Sequence, residues 1–421
     1  MQTSTIATSI EKHLNHPAEL ERLYRTNKHG FKQALPAIAA LYPNSLVLQC
    51  WQQRLLSGLV APPTITPKHV AFMVVAALVA GLTAFLPTAL HYSIAQQFGY
   101  FARYAAFIVT VPLSAYFLWK RKAGIRQAFV LLLVFALAVV YITAIPHNNF
   151  TGNTFMLSCL HLPLLLWMGV GLAYHPAVLH SNEHRLQYIQ WSTQVTIVGG
   201  LLLISFFAIS MLTVALFELI QVNFGNLLNN FLLYFTLPAI PIAATLVVQA
   251  YPQLLGRIVP VVAQIFSPLV LIMLFGYVLT LAISGVIPYH SREFLIIFNA
   301  LLAGVLLLIF YSIFFSQAAK PYQVWILFLL AALALVINGI ALASIGLRLH
   351  TWGITPNRLA VLGANLCMGM HLLLIAIQLY QVAEGRSTLT KVSIQMVRYL
   401  PVYALWVAIV TFLFPLLFGY S

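Results

Sequence analysis

The stretch His350–Asn365, HTWGITPNRLAVLGAN, places a cation where an apolar helix should begin. Thr355 is a residue type that caps the amino-terminal end of helices, and Pro356 suits the first helical position. This spacing predicts a helix that starts at Pro356 and carries Arg358 at its third position. The free N–H groups of such a helix start, together with a guanidinium, can form a binding site for an anion.

The positive end of the helix dipole opposes a cation at this position, so we expect Arg358 to have a negative partner. One candidate partner is a ligand, either a lipid phosphate or an anionic solute. Another is Glu218, the only acidic residue inside a predicted membrane span, and Glu293 in a later loop is a further one. A pair of Arg358 with Glu218, or snorkelling of Arg358 to lipid headgroups, would be structural rather than functional.

The predicted ligand-binding residues are polar or charged and lie around this turn or at the end of the fifth predicted span. They are Thr355, Asn357, Arg358, Arg348, His350 and Glu218. No catalytic residue, metal site or cofactor is predicted, because the chain has no HExxH, GxSxG or P-loop motif. His180 and His184 have a spacing that could bind a metal, but their loop is typical of an amphipathic segment on a membrane surface.

The composition is that of an integral membrane protein. Of the 421 residues, 62% are hydrophobic and 7% are charged, whereas soluble proteins carry about 25% charged residues. The seven acidic residues are all Glu. The absence of Asp excludes aspartyl intramembrane proteases and aspartyl-phosphate pumps, so the sequence favours a protein that is not an enzyme.

Three regions are predicted along the chain: a small helical domain at residues 1–62, a Pro-rich linker at 63–68 and a multi-span membrane domain at 69–421. Apolar segments long enough to cross a bilayer recur through the last region. They lie at 69–90, 98–119, 127–146, 154–174, 195–219, 231–250, 265–287, 294–315, 323–347, 360–381 and 399–419. The predicted fold is an all-α polytopic membrane helix bundle of about eleven helices, preceded by a small soluble helical domain.

The distribution of positive charge predicts the orientation. Lys and Arg concentrate on the cytoplasmic side of membrane proteins. With the N-terminus inside and the C-terminus outside, the outer segments of this chain hold only four of its 21 Lys and Arg residues, namely Arg103, Arg292, Arg348 and Arg358. The basic excess is therefore a topology signal and an attraction to anionic membrane lipids, and nucleic acid is not an expected partner.

Several polar residues and prolines interrupt the apolar spans. Asn365 and His371 lie in the tenth span, and could either line a path or form hydrogen bonds between helices. Pro238 and Pro241 lie three residues apart in the sixth span. They could break a helix at a transport site, or be tolerated because neighbouring helices cover the freed carbonyls.

Three stretches resemble a family of bacterial inner-membrane proteins known only as a domain of unknown function, number four-one-five-three. They are HPAELERLYRTNKHGFKQAL with the later WQQRL, FLLYFTLPAIPIAATLVVQAY (231–251) and GITPNRLAVLGANLCMGMHLLLIAIQLYQ (353–381). The resemblance implies a multi-pass protein of the bacterial inner membrane and implies no activity. It also suggests that Thr355, Pro356, Asn357 and Arg358 are characteristic residues.

Three functions remain open from the sequence. The first is a transporter, flippase-like or channel-like protein for an anionic or amphiphilic substrate, with Arg358 near its outer mouth. The second is a non-transporting scaffold or sensor, whose N-terminal domain recruits a cytoplasmic protein partner. The third is a membrane-embedded lipid-modifying enzyme, which the absence of Asp disfavours.

Overall fold

The computed structural model describes residues 2–14, 16–57, 65–146, 152–221, 225, 231–284, 292–315 and 320–419. The chain divides into two compact units, Met1–Thr64 and Ile65–Ser421. The predicted linker at residues 63–68 begins outside the described residues, and the first helix of the second unit starts at Pro67. The side chain of Glu293 also lies outside the described part of the chain.

The described residues of the first unit form four short helices around one apolar core. The helices are α1, Gln2–Lys12; α2, Pro17–Thr26; α3, Lys28–Leu41; and α4, Leu46–Ser57. Leu20, Phe31 and Trp51 are among the buried core residues. Since every helix contributes a buried apolar side chain, these helices stabilise one another by packing.

An ion-pair network joins α2 to α4. The Glu21 carboxylate accepts hydrogen bonds from Arg54 and, at 2.8 Å, from Nε of Arg25. These two guanidiniums lower the pKa of Glu21 from 4.5 to about 2. The Arg54 guanidinium carbon also lies 5.4 Å from the centroid of the Tyr24 ring on α2 and 4.5 Å from that of Trp51 on its own helix, so Arg54 contacts α2 through both its charge and an aromatic ring.

The second unit is a helical bundle. Among the described residues, eleven helices are long and apolar enough to cross a membrane, which confirms the predicted number. Its long helices are α5, Pro67–Ala89; α6, Ile94–Lys120; α7, Ile125–Ala144; α8, Asn153–Tyr174; α9, Asn182–Leu219; α10, Leu233–Ala250; α11, Pro252–Ser284; α12, Arg292–Phe315; α13, Pro321–Trp352; α14, Pro356–Ala383; and α15, Leu389–Ala408. A π-helical turn, Ile409–Leu413, and a short helix α16, Phe414–Leu417, extend the last span. The described residues contain no β-strand, so the protein is an all-α polytopic membrane protein.

Among the described residues, two large hydrophobic cores organise the bundle, and a small third cluster includes Val410 and Phe414. The first joins α5, α6, α7, α8 and α10 with the start of α9, and contains Tyr116, Phe155 and Trp191. The second joins α11 to α15, and contains Leu302 and Leu372. Helix α10 continues through Pro238 and Pro241, so the broken helix that one interpretation of the sequence allowed is not observed.

The end of the last span connects the second group of helices to the first. Pro415 has no N–H group to donate to the carbonyl of Thr411, which lies four residues earlier. Instead, the Tyr141 hydroxyl donates to that carbonyl at 2.6 Å and the Ser158 hydroxyl donates at 2.9 Å. Two donors from α7 and α8 thus replace the missing helical hydrogen bond.

Candidate functional site

The turn between α13 and α14 is built as the sequence predicts. Gly353 has a φ of 75°, a left-handed conformation that glycine adopts without steric cost. The Thr355 hydroxyl accepts a hydrogen bond from the Arg358 N–H at 3.4 Å, and Pro356 is the first residue of α14. The predicted cap and the predicted helix start are therefore confirmed.

The Arg358 side chain turns back onto the end of the preceding helix. Its Nη1 donates to the backbone carbonyls of Trp352 and Gly353, at 2.7 Å in each case. The carbonyl end of α13 carries partial negative charge, so it stabilises the cation that the start of α14 opposes. Carboxylates and ligands were the partners of Arg358 expected from the sequence. The end of α13, three residues before the cap Thr355, was not among them, although a long side chain can reach it.

A second arginine approaches the same indole ring. The guanidinium carbon of Arg348 lies 5.3 Å from the centroid of the Trp352 ring, and that of Arg358 lies 5.7 Å from it. Both distances are within the range of cation–π contacts. His350, on the same helix end, is exposed. The structure therefore brings Arg348 and Arg358 together around Trp352, a residue that the sequence analysis did not single out.

Asn357 and Glu218 have different surroundings from Arg358. The Asn357 amide nitrogen donates to Oδ1 of Asn153 at 2.7 Å, which ties the start of α14 to the start of α8. Glu218 lies one residue before the end of α9 and is exposed. Among the ion pairs of the described residues, none includes Glu218 or Arg358. A pair between these two residues remains a prediction from the sequence.

We predict that Arg358→Gln lowers the thermal stability of the purified protein. The change removes two hydrogen bonds from a charged donor, each of which contributes about 1.5–3 kcal/mol in typical proteins. Thermal unfolding in detergent measures the effect. Arg386→Gln is the matched control, because the Arg386 side chain is largely exposed and its contact with Glu384 spans 3.7 Å. An unchanged Tm combined with a loss of phosphate binding would assign Arg358 to a ligand instead.

Three asparagines, of which Asn338 and Asn365 are buried and Asn299 is half-buried, form a polar network in the membrane domain. The Asn365 amide on α14 donates to Oδ1 of Asn299 on α12 at 2.7 Å. The Asn338 amide on α13 donates to the backbone carbonyl of Asn365 at 3.1 Å. A Cβ atom at Gly369 would lie 2.4 Å from Oδ1 of Asn338, so this glycine makes room for the network. The network links three spans, each through a hydrogen bond of the kind that stabilises helix packing in membranes.

His371 is enclosed by aromatic rings one and a half turns after Asn365. Its ring stacks on Tyr399 with a centroid distance of 4.5 Å and contacts the edge of Phe310 at 5.6 Å. Its Nδ1 lies 3.2 Å from the Tyr403 hydroxyl. Since Asn365 and His371 are both fully buried, no space that could hold water adjoins either residue in this conformation.

Histidines at the end of α8 and the start of α9 also pack against each other. The ring of His184 stacks on that of His175, with centroids 3.8 Å apart. Burial and the nearby His184 and Arg121 lower the pKa of His175, which favours its neutral form. Within the described ranges, no group of three His, Cys or Glu side chains is placed to hold a metal ion.

A cavity of about 520 Å³ lies between α9, α11 and α12. Its lining is apolar except for one hydroxyl and consists of Ile197, Phe266, Val270, Met273, Ala300, Leu301, Gly304, Val305, Leu307, Leu308 and Tyr311. Phe266 and Met273 are 53% and 52% exposed, so the cavity opens at the outer surface of the bundle. Neither Asn365 nor His371 lines it. Nothing in the sequence indicates this cavity, because apolar residues on a membrane helix are equally expected to face lipid.

Comparison with models of protein families, with curated proteins and with solved structures gives no match to this chain.

Proposed function

We propose that this multi-pass membrane protein transports an amphiphilic, lipid-like substrate whose hydrocarbon part occupies the cavity between α9, α11 and α12. The observation that supports the proposal is the apolar lining of a cavity of about 520 Å³ that opens towards the surrounding lipid. A water-soluble solute in that cavity would lose its hydrogen bonds without replacement. A hydrocarbon chain would lose none.

The polar part of the substrate needs hydrogen-bonding groups near this cavity. Asn299 directly precedes Ala300, which lines the cavity, and its side chain bonds to Asn365 on α14. Movement of α12 away from α14 would break this hydrogen bond and free two amides in a low-dielectric environment, where a polar headgroup could replace them. We therefore propose that the Asn299–Asn365 contact is a gate and that transport alternates between its closed and open states.

The orientation and the cellular membrane belong to the same proposal. The charge distribution supports a cytoplasmic N-terminus and a non-cytoplasmic C-terminus. We propose the bacterial inner membrane as the location, on the basis of the sequence resemblance to a family of unknown function. In this orientation Arg358, Arg348 and His350 lie on the outer side, where they would attract an anionic headgroup.

Lipid translocation in reconstituted vesicles tests the proposal. The vesicles contain the full-length protein and a trace of phospholipid with a fluorescent headgroup, and a membrane-impermeant reductant bleaches the label in the outer leaflet. We expect the bleached fraction to exceed that of protein-free vesicles. A bleached fraction equal to that of protein-free vesicles would contradict transport of phospholipid.

Two glycine substitutions locate the path. A Cβ atom at Gly304 or at Gly276 would meet no heavy atom within 4 Å, so the chain has room for a larger side chain at either position. Gly304→Leu places an isobutyl group into the cavity, and we expect it to return translocation to the protein-free level. Gly276→Leu, outside the cavity lining on α11, should translocate like the unaltered protein. Equal activity of both variants would exclude this cavity as the path.

A membrane-anchored scaffold is the second candidate function. The full burial of Asn365 and His371 favours it, because the bundle holds no water-sized space beside either residue. The helical unit Met1–Thr64 would then recruit the cytoplasmic partner. Folded protein that fails to translocate lipid in the vesicle assay would favour this function over transport.

A further inference from the structure

A second cavity, of about 680 Å³, lies where α5 begins and α6 ends. It is lined mainly by basic, aromatic and small residues, which are Thr66, Lys68, His69, Leu118, Trp119, Lys120, Lys122, Ala123 and Ala128. It shares no lining residue with the cavity between α9, α11 and α12. We call it the lysine cavity.

The positive charge of the lysine cavity has no protein counter-charge in the described residues. None of its lining residues is acidic, and none of the ion pairs there includes Lys68, Lys120 or Lys122. Nζ of Lys120 donates at 2.7 Å to Oε1 of Gln249. This neutral acceptor positions the ammonium group without cancelling its charge, so an anion in the cavity would be attracted by three cations.

Helix starts add to this potential. The cavity is bordered by the first turn of α5, where Thr66 is the N-cap, and by Ala128 in the first turns of α7. Helix α7 follows Gly124, which has no side chain to cap it. The first N–H groups of a helix have no partner within the helix, and they favour negative charge near the helix start. Two helix starts and three lysines therefore act on the same space.

The aromatic side chains indicate that the cavity lies at the level of lipid headgroups. Trp119 stacks on Phe72 with a centroid distance of 5.0 Å, and the ring of His69 contacts Trp119 edge-on at 5.2 Å. Tryptophan is enriched where membrane spans meet water. Since α5 starts at Pro67 and α6 ends at Lys120, the cavity is placed at such a boundary.

The backbone at Lys122 is unusual for a side chain of this kind. Its φ is 52°, in the left-handed region, where glycine is preferred after a helix end. Its N–H bonds to the Trp119 carbonyl and the next N–H bonds to the Leu118 carbonyl, which is the usual closing pattern of a helix. Residues held in such a strained backbone conformation are often found at functional sites, which suggests a function for the Lys122 side chain.

We propose that the lysine cavity binds the phosphate of an anionic phospholipid headgroup, held by Lys68, Lys120 and Lys122. The headgroup phosphate supplies the missing negative charge, and Leu118 and Ala123 supply apolar contact for the adjoining acyl chains. This inference does not depend on lipid transport, because a lipid bound here could serve to anchor or regulate the protein.

Lipid binding to the full-length protein in neutral detergent tests this proposal. The protein is titrated with short-chain phosphatidylglycerol or with phosphatidylcholine of the same chain length, and native mass spectrometry counts the retained lipid. We expect tighter binding of the anionic lipid, and a roughly fivefold loss of affinity for each lysine removed in Lys68→Gln and Lys122→Gln. Equal retention of the two lipids would overturn the proposal.

Glycine substitutions separate binding from folding. Lys122→Gly relieves the left-handed backbone, so we expect a higher Tm together with the same fivefold loss of affinity for phosphatidylglycerol. His91→Gly is the matched control, because His91 follows the end of α5 with a φ of 54° and does not line the lysine cavity. It should raise the Tm and leave the lipid affinity unchanged. Unchanged affinity in Lys122→Gly would overturn the assignment.

Inorganic phosphate distinguishes the source of the anion. We expect phosphate to leave the retained phosphatidylglycerol in place, because a free ion lacks the apolar contacts of the acyl chains. Displacement of the lipid by phosphate at a comparable concentration would assign the cavity to a soluble phosphate and would overturn the lipid proposal. Neither result bears on the vesicle assay with Gly304→Leu, so the two proposals fail separately.

Discussion

Gly363→Ala will lower the Tm of the purified protein, because α14 and α15 are in contact at this glycine. A Cβ atom at Gly363 would lie 1.9 Å from Cζ2 of Trp406 and 2.2 Å from its Cη2. An indole ring is rigid, so either the ring or one of the helices must move. Overpacking of this kind costs about 1–3 kcal/mol, which exceeds the gain of about 0.5–1 kcal/mol that alanine brings to a helix interior. Thermal unfolding followed by fluorescence measures the difference.

Gly339→Ala is the control for this change. Gly339 lies inside α13, and a Cβ atom there would meet no heavy atom within 4 Å. This variant should keep or raise the Tm, since it gains helix propensity without a clash. In a Trp406→Ala background, Gly363→Ala should lose its destabilising effect. A Tm of Gly363→Ala at or above that of the unaltered protein would contradict the observed packing of α14 on α15.

The double substitution Tyr141→Phe with Ser158→Ala will destabilise the protein by more than the sum of the single substitutions. Either hydroxyl alone still satisfies the Thr411 carbonyl, so each single change leaves one donor in place. Removal of both leaves a fully buried carbonyl without a partner, which costs about 1–3 kcal/mol. A double-mutant cycle from thermal unfolding gives the coupling.

Pro415→Ala should partly rescue this double variant. Alanine restores an N–H group at the position from which a helical hydrogen bond can reach the Thr411 carbonyl. Tyr104→Phe serves as the control for loss of a tyrosine hydroxyl, because its hydrogen bond to Thr143 is at the surface of the bundle and leaves no buried group unpaired. If the changes in the free energy of unfolding caused by Tyr141→Phe and Ser158→Ala simply add, the two hydroxyls do not share one acceptor.

The sequence predicts the number of spans because each span needs about 20 mostly apolar residues to cross the hydrocarbon. Runs of this length can be recognised without knowledge of the tertiary structure. The ends of the helices are predicted less well. The ninth span was expected at 323–347, but α13 extends over Pro321–Trp352. Arg348 and His350 mark the end of the apolar run. The helical backbone hydrogen bonds nevertheless continue past this point, to Trp352, into the region where the membrane meets water. Helix α9 likewise begins at Asn182 and therefore includes His184, which was expected in a loop on the membrane surface.

The candidate site follows from the sequence only in its local part. The Thr355 cap and the start at Pro356 depend on neighbouring residues, and both were predicted correctly. The partners of Arg358 and the Asn299–Asn365 hydrogen bond depend on which helices pack together. Apolar periodicity carries little of that information inside a membrane, because lipid-facing and protein-facing positions are both apolar. The small residues Gly363 and Gly369 were the available signal for close packing, and only the structure shows their neighbours.

The carbonyl of Thr411 also sets an order for biogenesis. Tyr141 and Ser158 precede it by 270 and 253 residues, so α7 and α8 leave the ribosome long before their acceptor is made. Until then the two hydroxyls must find temporary partners, such as carbonyls of their own helices, during membrane insertion. In a nascent chain that stalls before the last span, the hydrogen bonds from α7 and α8 to the Thr411 carbonyl would remain unformed. Quality-control proteases of the membrane could recognise such a chain by its unsatisfied polar groups.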